Sequence, residues 1–235
     1  MILRWVICFS CGLLPLTAAT ISGRVELRDS RDPAVRNRND FSGVVISLKP
    51  LASPAVLDAQ KHATMLQKDK TFTPHVLAIP MGTVVDFPNA DPIFHNAFSS
   101  YSGQIFDIGL YPPGSTRSVR FAREGVVRVF CNIHAEMSAV IVVVASPYFT
   151  TSKRDGSYEI NNVPPGEYEL RVFHERASES TLQALGRKVT VGPDGASLPV
   201  MVVSEAGFLS IPHKNKYGHD YAPDGGQRPG YPGKQ

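Results

Sequence analysis

Cysteine is scarce in this chain of 235 residues, and its placement makes it scarcer still. Of the three cysteines, Cys8 and Cys11 fall within an N-terminal apolar segment, which leaves Cys131 alone in the remainder. One thiol cannot build an internal disulfide framework. Long hydrophobic runs are also missing: past the N-terminal segment, no stretch approaches the ~20 apolar residues that a membrane-spanning helix needs. Charge of one sign is lacking too. The formal net charge is +3, with lysines and arginines scattered along the chain, so there is no electrostatic footprint for nucleic acid. Extended helical periodicity is absent, while the 19 glycines and 19 prolines recur at intervals that favour turns over long helices.

The N-terminus has the features of a secretory signal. Arg4 supplies the positive end, Trp5 to Leu16 is apolar but short for a bilayer span, and Thr17-Ala18-Ala19 offers small residues for cleavage. Residues 1–19 are therefore expected to be removed, leaving an exported chain with no membrane span, periplasmic if the source is Gram-negative. Export sharpens the cysteine problem, because exported cysteines normally pair. A metal ion would both occupy Cys131 and account for its being single.

Taken in order, the chain is a series of short strands. Ile21 to Arg28 alternates apolar or small with polar residues, and Asp29 to Ser42 is a polar loop. Val44 to Leu48 is a second strand, and Ala52 to Ala59 a small-residue linker. Strands follow at Phe72–Ile79, Thr83–Phe87, Phe106–Leu110, Ser118–Phe121, Val126–Phe130 and Ala139–Val144. Asp155-Gly156 marks a hairpin. Tyr168, Leu170 and Val172 share one strand face, Thr181 to Leu185 is a loop, and Lys188–Val191 and Leu198–Val203 close the series. From Glu205 the apolar pattern fades into a segment expected to be a flexible tail. The fold class is all-β, in sandwich form.

The chemistry concentrates in Cys131-Asn132-Ile133-His134-Ala135-Glu136-Met137, a short connection between two apolar strands. A thiol, an imidazole and a thioether three residues apart form a soft donor set that suits copper rather than magnesium or calcium. Pro88-Asn89-Ala90-Asp91-Pro92 is dense turn chemistry leading to a second imidazole, His95. The expected site is one copper ion on His95, Cys131 and His134, with Met137 as a weak axial ligand, and with Glu136 next door able to compete. His62, His75 and His174 match no ligand position, and His213 and His219 read as solvated tail residues. Phe94, Phe98, Tyr101, Ile133 and Ala135 cluster in sequence around the ligands; some of them are expected to form an apolar rim near His134, either to dock a redox partner or to shield the copper from water.

Two family resemblances overlap these readings. Residues 58–146 resemble a cupredoxin through Ile79-Pro80-Met81-Gly82-Thr83-Val84-Val85, through Asn89 with His95-Asn96, and through the C-x-x-H-x-x-M loop, whose short His134-to-Met137 spacing is similar to that of amicyanin. That resemblance implies an eight-stranded Greek-key sandwich, a mononuclear type 1 copper site and transfer of single electrons. It further implies that the Asn96 amide donates to the Cys131 sulfur while its side chain ties the two ligand loops together. Asn132 stands where a small hydroxyl residue is more familiar, and Ala135 where proline is common. Around this segment, Ile21-Ser22-Gly23-Arg24-Val25 and the stretch from Gly156 to Leu170, with Val163-Pro164-Pro165-Gly166, resemble a carboxypeptidase regulatory-like domain, a transthyretin-like sandwich. Its parts would be residues 20–57 and 147–204, with the copper domain inserted between them and residues 205–235 as a tail. The combined arrangement resembles exported proteins labelled as methylamine-utilisation proteins.

The leading expectation is an exported electron carrier between a redox donor and an acceptor. The alternatives are copper storage or delivery, and a non-catalytic binding or assembly module. An enzyme is disfavoured, because four protein ligands leave no open position for a substrate.

Overall fold

The computed structural model describes residues 19–58, 61–100, 103–209 and 213–221. The expected signal segment lies outside these residues except for Ala19, which opens the first strand and is buried opposite Val163. Tyr101 also lies outside them.

The chain opens with β1 (Ala19–Arg28), α1 (Pro33–Arg38) and β2 (Val45–Pro50). The central strands are β3 (His62–Thr64), β4 (Leu66–Lys68), β5 (Thr71–Thr73), β6 (Val76–Pro80), β7 (Val84–Pro88), β8 (Phe98–Ser99), β9 (Phe106–Asp107), β10 (Thr116–Arg120), β11 (Gly125–Phe130) and β12 (Ser138–Val144). The chain closes with β13 (Phe149–Thr151), β14 (Ser157–Val163), β15 (Gly166–Phe173), α2 (Glu179–Leu185), β16 (Arg187–Val191), β17 (Ala196–Ser197) and β18 (Met201–Ser204). The fold is all-β.

Strands from both ends of the chain pair with one another. β1 lies between β14 and β17 and also pairs with β18, while β2 lies between β13 and β15, with β16 beyond. These two sheets enclose one core, which includes Ile21, Val25, Ile46, Leu48, Tyr158 and Leu170. The central strands form a sheet ordered β10-β7-β3 and another ordered β6-β12-β11-β8-β9 around a separate core that includes Phe87, Val127, Val129 and Ile141.

β12 joins these two bodies. Ala139, Ile141 and Val143 face the central core. Val140, Val142 and Val144, on the opposite face, pack with Val45 of β2 and with Phe149 and Phe173 in a third cluster. A strand buried on both faces has no solvent side to carry polar residues, which explains its unbroken apolar run.

Two segments expected to be loops contain short helices, and local capping is the reason. At α1, the Asp32 carboxylate accepts from the Ala34 amide at 2.7 Å, Pro33 enters the first turn, and Asn39 ends the helix in the left-handed region at φ 48°. At α2, the Ser178 hydroxyl accepts from the Thr181 amide at 3.1 Å. The Asp155-Gly156 turn forms as expected. Gly156 has φ 83°, and a Cβ there would lie 2.1 Å from the Val25 carbonyl oxygen.

Ion pairs also bridge the two bodies: Glu124 meets Arg171 at 3.0 Å, and a second pair involves a histidine. His75 Nε2 meets the Glu175 carboxylate at 2.9 Å, and Nδ1 lies 3.2 Å from the Ser138 carbonyl oxygen. Both ring nitrogens therefore face acceptors, an arrangement satisfied fully by imidazolium alone. The Glu175 hydrogen bond raises the His75 pKa above its ordinary 6.5 despite partial burial. A raised histidine pKa contributes stability that is complete below the unfolded value and lost as pH rises through the folded one. The chain is thus expected to lose more stability between pH 6 and pH 9 than His75→Gln does, as read by urea midpoints at each pH. Parallel curves for the two proteins would show that this pair does not couple folding to pH.

Candidate metal centre

The ligand loop is closed by its own backbone. Phe130 and Ser138 are paired across β11 and β12, the Cys131 amide donates to the Met137 carbonyl at 3.0 Å, and the Met137 amide donates to the His134 carbonyl at 3.1 Å. These bonds turn the residues between the strands into a tight cap. The second loop is held as firmly: His95 exchanges both backbone hydrogen bonds with Tyr111, at 3.2 and 2.9 Å. Buried Asn89 shapes the turn before it, donating to the Ile93 carbonyl at 2.8 Å and accepting from the Asp91 amide at 3.1 Å.

These loops bring three of the expected ligands together. Cys131 Sγ lies 3.9 Å from His95 Nδ1 and 3.6 Å from His134 Nδ1, and the three donor atoms all lie within 4.8 Å of one another. Metal–nitrogen bonds of about 2.0 Å and metal–sulfur bonds of about 2.3 Å allow donors on one ion to sit no more than about 4.3 Å apart. Both sulfur–nitrogen separations satisfy that limit. His95 and Cys131 are fully buried, and His134 is partly exposed. The donor chemistry and the sulfur–nitrogen spacing therefore fit a soft or borderline transition metal.

Met137 is fully buried in the same core as Cys131, whereas Glu136 faces solvent. Alternation leading into β12 turns Met137 inward and Glu136 outward. Of the expected apolar rim, Ile133 is 41 % exposed and Ala135 is exposed, but Phe98 is buried against Phe130 with ring centroids 5.9 Å apart. Phe98 therefore belongs to the packing beneath the loop rather than to its rim.

Burial pushes the Cys131 thiol pKa up, opposed by hydrogen bonding from the backbone amides of Ile133, Asn96, His134 and Asn132. Such amides stabilise the thiolate form that a metal requires. The Asn96 side chain accepts from the Asn132 amide at 2.9 Å, so the tie between the two ligand loops runs through the backbone of Asn132. A hydroxyl at position 132 is unnecessary for it, and the Asn132 side chain is left to make a different contact.

Sequence reasoning missed Asp91. Its carboxylate lies 2.6 Å from His95 Nε2, on the opposite edge of the ring from the nitrogen that faces Cys131. It also accepts from the Asp69 and Lys70 amides at 2.7 and 2.9 Å. Burial works to raise the Asp91 pKa, but the hydrogen bonds from Lys70, His95 and Asp69 outweigh it and hold the carboxyl below its usual range. A carboxylate on the far nitrogen fixes the ring orientation and strengthens the near nitrogen as a donor. The Asp-x-x-x-His spacing was the available signal.

No family model matches the chain, and no curated protein matches it. Among solved structures, it is similar to a purple cupredoxin from Nitrosopumilus maritimus, at 23% identity over 36% of this chain and 100% of that one, with a TM-score of 0.32. It is also similar to a copper-containing nitrite reductase from Thermus scotoductus, at 24% identity over 51% of this chain and 28% of that one, with a TM-score of 0.35. A reduced amicyanin variant matches at 15% identity over 42% of this chain and 98% of that one, with a TM-score of 0.34. At these TM-scores the likenesses decide nothing about chemistry.

Asp91→Asn removes the charge from the far nitrogen of His95 and keeps an oxygen for one of the two loop amides, which Asp91 holds on different oxygens. It is expected to weaken metal binding by about 10- to 100-fold, the usual cost of losing such an outer partner, as measured by competition with a chelator. A loss under about threefold would exclude Asp91 from that role.

Proposed function

We propose that this chain is an exported type 1 (blue) copper protein that carries single electrons between a redox donor and an acceptor. One copper ion would be held by His95, Cys131 and His134, with Met137 as the axial ligand. The observation that carries the reading is the convergence of two imidazole nitrogens on a buried, otherwise unpaired thiol. When bound, copper supplies a one-electron couple. The protein holds the donors on loops closed by strand hydrogen bonds, so the ligand set changes little between oxidation states, and it keeps water from the thiolate. The partly exposed edge of His134, beside Ile133, is the route for electrons and the face for a docking partner. Four protein donors would leave no position for a substrate, which favours a carrier over an enzyme.

In this reading residues 58–146 are the cupredoxin-like unit, inserted between residues 20–57 and 147–204 of a transthyretin-like sandwich. Export rests on the segment from Arg4 to Ala19. Among the described residues, no helix is long and apolar enough to cross a membrane.

Loading with Cu(II) is expected to produce an intense thiolate-to-copper charge-transfer band and an EPR signal with a narrow copper hyperfine splitting. Cys131→Ala abolishes the band, and Met137→Ala shifts its energy and the potential. A copper complex without the band would refute the blue-copper reading. Reversible voltammetry with fast self-exchange marks a carrier, whereas sluggish redox with rapid copper release marks a delivery protein.

A further inference from the structure

The C-terminal segment expected to be flexible returns to the metal centre. Residues 213–221 lie against the cysteine loop and make four distinct contacts with it and its surroundings. The His213 ring stacks on Phe130 with centroids 4.1 Å apart. The Lys216 amide donates to the Asn132 side chain at 3.0 Å, and Lys216 Nζ meets the Asp107 carboxylate at 2.7 Å. The Tyr221 hydroxyl donates to the Cys131 carbonyl at 2.6 Å.

Two of these contacts close a circuit. Lys216 donates to Asn132, the Asn132 amide donates to Asn96, Asn96 donates to Asp107 at 2.8 Å, and Asp107 accepts from Lys216. Asn96 follows His95 in the chain, and Asn132 follows Cys131, so the circuit joins the two ligand loops to each other and to the C-terminal segment. A second chain of bonds is directional. His213 Nδ1 faces the Tyr221 hydroxyl and the Lys214 carbonyl, both at 3.2 Å. The Tyr221 proton is committed to the Cys131 carbonyl, so both groups act as acceptors and Nδ1 carries the ring proton. The bonds then run from His213 to Tyr221 to the backbone of the thiol ligand. Aligned bonds of this kind polarise and strengthen one another.

We propose that residues 213–221 form a strap that sets the position of the Cys131 main chain relative to His95, with Tyr221 as its positioning residue. Its link to copper rests on the function proposed above, but its effect on the thiol loop does not. The strap holds the loop before any metal arrives, and it adjusts the site through the carbonyl of the ligating residue rather than through a ligand atom.

The test compares four variants with the parent chain: truncation after Leu209, truncation after Tyr221, Tyr221→Phe, and His219→Gln, a control within the strap whose side chain is exposed. In the metal-free proteins, the rate of Cys131 modification by a thiol reagent and amide exchange over residues 131–134 are expected to rise about tenfold in Tyr221→Phe, the scale of one net hydrogen bond. They should rise further in the Leu209 truncation and stay unchanged in the other two. After Cu(II) loading, the charge-transfer maximum and midpoint potential shift in Tyr221→Phe and hold in His219→Gln. Because losing one hydrogen bond also lowers the urea midpoint, Ile46→Val in the outer core serves as a further comparison: a similar loss of stability away from the loop should leave thiol reactivity unchanged, which separates loop release from unfolding. Unchanged thiol reactivity and exchange in both Tyr221→Phe and the Leu209 truncation would overturn the strap. Faster thiol chemistry with an unmoved spectrum would overturn the positioning role and leave only a shield. Faster thiol chemistry and exchange with no blue band in any variant, the parent included, would support the strap and refute the copper reading.

Discussion

The double-sided burial of β12 is the constraint on which the rest of the structure depends. Its two faces belong to different cores, so it cannot slide or twist without disturbing both. A one-residue slip would exchange Ala139, Ile141 and Val143 with Val140, Val142 and Val144, volume for volume in part, but it would also move Met137 out of the central core. The cysteine loop is the connection that enters β12. Its last residue is therefore set by packing on both faces, and its first by the pairing of Phe130 with Ser138. A metal site needs donors held to within a fraction of an ångström, and here that precision comes from apolar burial on one side of the loop and a sheet ladder on the other.

Hydrogen bonding supplies what apolar packing lacks. The centre contains buried polar groups that would each be costly without a partner. Asn89, Asp91 and Asn96 all have partners, and those partners lie mostly on the neighbouring loop rather than on their own. Gln67 reaches the Tyr111 hydroxyl, which itself donates to the Phe87 carbonyl at 2.8 Å. The bridge between His95 and Tyr111 is thereby tied to the floor of the central core. Asp91 shows which effect prevails: burial alone would favour its neutral form, yet two backbone amides and His95 together keep it anionic. The centre carries a fixed negative charge behind one imidazole and a buried thiol between two, an arrangement that a cation completes.

Much of this was legible because it is local. The period-two alternation of Ile21 to Arg28, the hairpin at Asp155-Gly156 and the soft donors of the 131–137 loop are all properties of neighbouring residues. His95 could be paired with that loop because it follows a dense turn. Asp91 was harder, since an aspartate four residues before a histidine is common in loops and the backbone of His95 is held by Tyr111, distant in sequence. The short helices escaped because a capping aspartate or serine in a polar stretch resembles a loop until the first turn forms. The strap was least legible. A segment rich in lysine, glycine, proline and tyrosine has the composition of a tail, and its contacts with the cysteine loop and its surroundings are with residues about 80 to 110 positions away.

The strength of that order lies in the backbone contact rather than the ion pair. Lys216 and Asp107 are both partly exposed, and exposed pairs contribute about 0–1 kcal/mol after screening. The Tyr221 hydroxyl is half-buried and bonded to a carbonyl whose residue is wholly buried, so losing it would leave an acceptor without solvent to replace the donor. The stacking of His213 on Phe130 extends this contact over the β11 end of the loop. Because β18 pairs with β1 and leads towards the strap, the final strand of the outer sheets and the covering of the cysteine loop are parts of one continuous chain. The valine face of β12 and the strap thus both bear on the cysteine loop, the first through the packing of the strand that the loop enters and the second through Tyr221 and Lys216.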